Sequence, residues 1–589
     1  MLPWQEEYIR NTRELILLRD AGLRPLTPEE DSRRRAEAFR LTERNSMLLS
    51  QFLFPVLDAL PSAEPSVLEE LTAFGDALCD WRENLDVGVY VTIHEALLSL
   101  SRIRKDRNGT IRELYRLGMG VFYLRRMMTI ASSDIDQPFR FENEMLFTEA
   151  ASWFRYFDQL DTEETKGYVI RSLANIALCA KDSKHKIAAS ARMLRVIQDE
   201  QIRALAPSLP WEWFLRGTHQ QMSTNRESLS RGNLSQEELA AVMDSCYEVF
   251  KPETSSQNPS VRWVWPYYEM EYNCGYVNLE TTLVRLEKLI TETPWDQYDE
   301  AGLYGNIQLA INYCRLMERN PELKKDIGRR IFLQKACQKM EKCILSYPPE
   351  KYSDLFIHNV LLICTDYFEM DGGLSYREIS GHLLERFFPD DCLRGKRTGE
   401  IMACLCEELY REDPRFFDEI PFLTACPEGK KEEVLLSYAR ECGLYADYGL
   451  VLMNICRKPR ELFEREYHMT LTHPLIGAEL LGKHESTRRL ADIAMGHHGW
   501  YNGSSKGYPD SYVRTDSPYR QMTDVAALAS FMMKEWEGDL STLLERIYAW
   551  EGTRFSPLVT SCLPRENVRN RLETILSGCE ENRTVQSRK

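Results

Sequence analysis

Thr472-His473-Pro474-Leu475-Ile476-Gly477-Ala478-Glu479-Leu480-Leu481, followed by His497-His498-Gly499-Trp500, puts three imidazoles on segments with helical patterning. Asp447 lies upstream on another such segment, so four candidate ligands fall within the 52 residues from Asp447 to His498, two of them adjacent. One imidazole or carboxylate from each of several facing helices is how helical bundles assemble metal sites. A lone histidine would carry little weight, whereas this set, one carboxylate with three imidazoles, has the ligand chemistry of iron, manganese or zinc. The competing reading is that the histidines are core residues with no ion.

Outward from this stretch the chain reads as amphipathic helix. Val169, Leu173 and Ile176 recur at i, i+4 and i+7, and Leu283, Leu286 and Ile290 at i, i+3 and i+7, each making a stripe that needs a partner surface. Strand-like alternation is scarce. Pro207-Ser208-Leu209-Pro210 and Tyr347-Pro348-Pro349 break the pattern into helix-length segments. Trp263-Val264-Trp265-Pro266-Tyr267-Tyr268 could line a groove, but the base rate for aromatics favours helix-packing core. The expected fold is all-α: a helical array over 1–370, a helical-bundle domain over 375–579 beginning after Asp371-Gly372-Gly373, and a disordered tail over 580–589. The array lacks a clean 34-residue signature, so tetratricopeptide-like is an analogy only.

Bulk properties limit the function classes. At 589 residues the chain is too long for one ordinary core. A net charge of −16 excludes a broad basic face for nucleic acid, though not a local basic pocket for a phosphorylated ligand. No run of 18 apolar residues is present, which excludes a membrane span by hydropathy. The opening Met1-Leu2-Pro3-Trp4-Gln5-Glu6-Glu7 lacks the basic and apolar regions of a signal peptide. The 16 cysteines include no C-x-x-C pair, and Cys404 and Cys406 read as buried thiols. Together these predict a cytoplasmic protein with reduced thiols. Glu95-Ala96-Leu97 and the basic run from Lys181 to Lys186 stand alone and read as helix surface.

Four ordered blocks resemble one family. Lys458-Pro459-Arg460-Glu461-Leu462 and Thr472 to Leu481 are similar to the K-P-x-x-L and T-H-P-x-x-G-A-E-L-L segments of HD-GYP phosphohydrolases. His497-His498-Gly499-Trp500-Tyr501-Asn502-Gly503-Ser504-Ser505-Lys506-Gly507-Tyr508-Pro509 resembles the family's H-H-E-x-W-D-G-x-G-Y-P, with Gly499 for Glu, Asn502 for Asp and a short insertion before Gly507. Gly552-Thr553-Arg554-Phe555-Ser556-Pro557 is similar to its closing G-T-x-F-D-P. The resemblance implies hydrolysis of cyclic di-GMP or a related cyclic dinucleotide at a centre of two or three metals. There, adjacent ions share ligands, activate a bridging water and neutralise phosphoryl charge. It also implies that Gly507, Tyr508 and Pro509 shape the ligand pocket.

The departures fall on the site. The family's H-D-x-G-K aligns with Ala446-Asp447-Tyr448-Gly449-Leu450, so a methyl replaces the first histidine and Leu450 replaces the lysine. The late metal aspartate aligns with Ser530, with Asp524 fitting the preceding polar position, and an upstream histidine falls near Arg394. By the resemblance, Ala446 and Ser530 remove two ligands of one metal, while Asp447, His473, His497 and His498 keep those of its neighbour. One divalent ion could then bind, but the bridged nucleophile could not form. Losing the lysine alone is worth roughly 3 kcal/mol by analogy with an oxyanion donor, and each ~1.4 kcal/mol is tenfold in rate. The preferred reading is therefore a regulatory or ligand-binding pseudo-phosphodiesterase, with protein partners at the N-terminal helices, a cyclic dinucleotide at the C-terminal domain, and neither nucleic acid nor membrane as partner. The alternatives are an active single-metal phosphohydrolase and a scaffold without a ligand.

Overall fold

The chain is all-α in the computed structural model, which describes residues 1–23, 26–79, 84–127, 133–180, 183–223, 235–254, 261–295, 300–346, 367–451, 453 and 458–578. Among these the only β features are isolated bridges at Cys79–Asn84 and Glu551–Phe555. The expected tail and the Tyr347-Pro348-Pro349 break lie outside the described residues, as do the first two residues of the Lys181–Lys186 run. Among the described residues no helix is long and apolar enough to cross a membrane.

The apolar stripes become helices that bury them. Val169 and Leu173 are buried on the helix Glu163–Cys179, and Leu283, Leu286 and Ile290 on Leu279–Glu292. Pro207 to Pro210 separates the helices Glu200–Ala204 and Trp211–Ser223, as a pair of prolines dictates. From Val87 to Ser346 each long helix packs on its chain neighbour, forming an array with several local cores. Trp265 is 1% exposed within one of these cores, so it packs rather than lining a groove.

At Asp371-Gly372-Gly373 the chain turns, with Gly372 at φ +79°, and Ser375 opens the next helix, Tyr376–Phe387, with a capping box. Ser375 Oγ accepts from the Glu378 backbone N–H and the Glu378 carboxylate accepts from that of Ser375, satisfying two donors that a helix start leaves open. The following helix, Pro389–Glu412, is the hub of the C-terminal part. It packs against the helices Tyr376–Phe387, Lys431–Tyr445, Arg520–Glu535 and Glu566–Ser577. Its stretch Ile401-Met402-Ala403-Cys404-Leu405-Cys406 carries no charged side chain and is buried throughout, as a helix surrounded on all sides requires. Cys404 and Cys406 are buried thiols here. The core they join continues through Tyr376, Met340 and Ile307 to Leu114 and Val87, spanning both sides of the Asp371 turn.

A buried charge cluster joins the first helices to the segment leading into His473. The Arg460 guanidinium, 1% exposed, donates to both Asp86 oxygens at 2.9 and 3.0 Å and to both Glu466 oxygens at 2.7 and 3.1 Å. Its central carbon lies 3.4 Å from the centroid of the Phe463 ring. Asp86 also caps the helix Val87–Ile103 by accepting from the backbone of Gly88 and Val89, and it accepts from Tyr8 Oη at 2.6 Å. Burial raises the Asp86 carboxyl, but Arg460 and Lys458 outweigh it and hold the group below its ordinary range. Gly88 is required: a Cβ there would lie 2.1 Å from Glu466 Oε1 and 2.3 Å from an Arg460 nitrogen.

Removing one partner of a buried, fully hydrogen-bonded pair leaves a charge that neither water nor protein satisfies. Asp86→Ala is therefore expected to cost about 3–5 kcal/mol in urea unfolding. Arg44→Ala, which breaks the half-exposed Arg44–Glu7 pair, should cost under about 1 kcal/mol.

Candidate metal centre

Asp447, His473, His497 and His498 converge, with one ligating atom from each lying within 4.8 Å of all the others. No other such group occurs among the described residues. Asp447 follows the helix Lys431–Tyr445, His473 opens the helix His473–Gly482, and His497 caps Ala491–Gly496. Two backbone approaches hold these elements in place. A Cβ on Gly449 would sit 1.9 Å from the His473 carbonyl oxygen, so only glycine lets the turn after Asp447 seat against the start of the His473 helix. The helices Pro389–Glu412 and Lys431–Tyr445 cross backbone to backbone, where a Cβ on Gly443 would sit 2.1 Å from the Gly399 nitrogen.

The hydrogen bonds at the rims fix the tautomers. His473 Nδ1 lies 2.7 Å from the Thr470 carbonyl and His497 Nδ1 2.8 Å from the Ala494 carbonyl. A carbonyl can only accept, so each Nδ1 carries a proton, and in its neutral form each ring turns a bare Nε2 inward. The two Nε2 atoms are 3.2 Å apart, and Asp447 Oδ1 lies 3.2 Å from that of His497 and 3.4 Å from that of His473. With both rings neutral, three acceptors face one another at this range and repel unless a proton or a metal ion lies between them. Ligands about 2.1 Å from a common ion are separated by roughly 3.0–3.4 Å in octahedral or tetrahedral geometry. The spacing therefore fits an ion, and backbone carbonyls behind the rings are the outer support that metal-bound histidines require.

Electrostatics favour the ligating forms. Burial lowers the His473 imidazole, against the pull of Asp447, and burial with the neighbouring rings lowers His498 well below its usual range, so both are neutral. Burial would raise Asp447, but the imidazoles of His473 and His497 that face it, with Arg394 nearby, hold it well below the ordinary carboxylate range. His473 and His497 are almost completely buried, whereas a third of the Asp447 side chain reaches solvent. The centre thus opens on the carboxylate side.

The neighbouring motif residues fall into distinct places. The Tyr508 ring stacks on His498 with centroids 4.5 Å apart and planes at 23°, and the Tyr508 backbone N–H donates to the His498 carbonyl. Gly507 packs so tightly that a Cβ would meet the Trp500 nitrogen at 2.6 Å, and the Tyr508–Pro509 peptide is cis. Tyr501 and Asn502 donate their backbone N–H groups to the carbonyls of Arg554 and Thr553, so the Gly552–Pro557 block braces the loop that carries Tyr508. Ala446 is a buried methyl and cannot ligate. The Ser530 hydroxyl is buried with no hydrogen-bond partner among the described residues. Asp524 is committed to a two-oxygen pair with Arg514 and does not join the centre. Arg394 carries the signal that sequence reading undervalued: its Nε lies 4.0 Å from Asp447 Oδ2.

No protein-family model matches this chain, and no curated protein or solved structure matches it.

The Gly449 contact generates a direct expectation. Gly449→Ala should push the Asp447 turn away from the His473 helix and weaken binding of a divalent ion about 10–100-fold, the range for losing outer support of a metal ligand. Gly429→Ala, with nothing within 4 Å of the added carbon, should leave metal binding unchanged. Metal titrations of the two variants check this.

Proposed function

We propose that this protein is a metal-binding regulatory protein with a degenerate HD-GYP-like domain, which binds a cyclic dinucleotide and does not cleave it. The observation that carries the reading is the convergence of Asp447 Oδ1 and the Nε2 atoms of His473 and His497. One carboxylate and three imidazoles suit iron, manganese or zinc. The ion would supply positive charge for a phosphate oxygen. Tyr508, stacked beside the centre, offers an aromatic wall for the ligand, with Gly507 and Pro509 shaping the loop around it.

The loss of hydrolysis rests on the resemblance. Ala446 and Leu450 supply neither a ligand nor a cation, and Ser530 offers a hydroxyl where the family has a carboxylate, so a second ion and the water shared with it lack their protein groups. Protein partners would engage the N-terminal helical array. The many buried thiols and the absence of long apolar helices among the described residues support a cytoplasmic setting.

Metal analysis of the purified protein, with cyclic di-GMP binding and turnover measured on the same sample, tests this. One ion per chain, ligand bound without product, and loss of the ion in His473→Ala are expected. Metal-dependent turnover abolished by His473→Ala would instead establish an active phosphohydrolase. Neither ion nor ligand would leave a scaffold.

A further inference from the structure

The two oxygens of Asp447 face different partners. Oδ1 points to the imidazole nitrogens of His473 and His497. Oδ2 faces Arg394, whose Nε is 4.0 Å away, an ion-pair distance rather than a hydrogen-bond distance. Arg394 is itself steadied by Asp391, one turn earlier on the helix Pro389–Glu412, through a 2.9 Å hydrogen bond. The guanidinium therefore stands on the outer side of the carboxylate, across from the histidines.

Exposure gives this side its meaning. Arg394 is 26% exposed and Asp447 33%, against 3% for His473 and nothing for His497. A solute reaching the centre meets the guanidinium and the carboxylate edge first. Before an ion enters, Asp391 and Asp447 outweigh Arg394 and the pocket repels anions. A divalent ion reverses that balance, leaving the group cationic by one charge.

We infer that Arg394 and a metal ion held by Asp447 and the three histidines form a single phosphate-oxyanion site, in which the guanidinium serves in place of a second ion. This rests on the metal reading above and extends it: it names the group that meets the phosphate and makes anion binding conditional on the metal. The site takes a phosphate ester or free phosphate between one ion and one planar, permanently charged fork. It replaces with an arginine from a different helix the cation missing at Leu450.

Cobalt(II) serves as metal probe, with inorganic phosphate and dimethyl phosphate as anion probes, on the full chain. Wild-type protein should take up one cobalt, and both anions should perturb its visible spectrum. Chelated protein should bind neither anion. Arg394→Gln should hold cobalt at least as tightly, because a positive charge beside Asp447 has been removed. The same variant should bind both anions at least about tenfold more weakly, as expected for a charge-assisted hydrogen bond. Arg394→Lys should recover only part of the loss, because it restores the charge without the planar fork. A residue that merely braced the helix would weaken metal and anion together, so the opposite signs distinguish the two roles.

Unchanged anion affinity in cobalt-loaded Arg394→Gln would overturn this inference alone, as would equal anion binding by chelated protein. Wild-type protein that takes up no cobalt would overturn the metal reading and this inference with it.

Discussion

Arg460 is enclosed with Asp86 on one side and Glu466 on the other, and all three are shut off from water. Such a cluster is tolerable only when every charge and donor is matched, because desolvation otherwise exceeds the attraction. Here the matching is close to complete: the guanidinium uses both carboxylates and the Glu461 carbonyl, the buried Lys458 ammonium 3.8 Å from Glu466 balances the second negative charge, and Asp86 also caps a helix. The arrangement fixes the start of the Val87–Ile103 helix relative to the Lys458–Leu462 segment. The side chains that follow it, up to His473, inherit that placement.

The candidate metal centre is built on the same economy of backbone contact. Gly449 lets the Asp447 turn touch the His473 helix, and Gly399 with Gly443 lets the hub helix approach closely enough to bring Arg394 to Asp447. The imidazoles are then oriented by carbonyls of their own preceding turns. Each ligand is set by local chain geometry, while the meeting of ligands depends on glycine at the crossings.

Parts of this were legible in the sequence for clear physical reasons. Helical periodicity at Val169–Ile176 and Leu283–Ile290 reports burial directly, and the four ligands fall on three helical segments within a short span. The residues brought together over long separations left no comparable trace. Arg394 and Asp447 meet through a helix crossing, and Asp86 and Arg460 are 374 positions apart. Arg460 stood in plain view within a motif, but a variable motif position gives no hint that it is buried and doubly paired. The family resemblance that organised the site reading rests on the four sequence blocks. The geometry adds the convergence of ligands and the bracing of the Tyr508 loop by the Gly552–Pro557 block.

Glu466 and Thr470 share one short helix, Glu464–Thr470, a single turn apart. The first grips Arg460 and the second presents the carbonyl that orients His473. Arg465 on the same helix also reaches Glu95 and Glu142 of the N-terminal helices. This turn of helix thus joins the contacts made to the N-terminal array to the carbonyl that orients His473, one helical repeat away. Thermodynamic reciprocity then applies to the pair. A partner that changes the affinity for metal by some factor, through this path, must have its own affinity changed by the same factor when the metal binds.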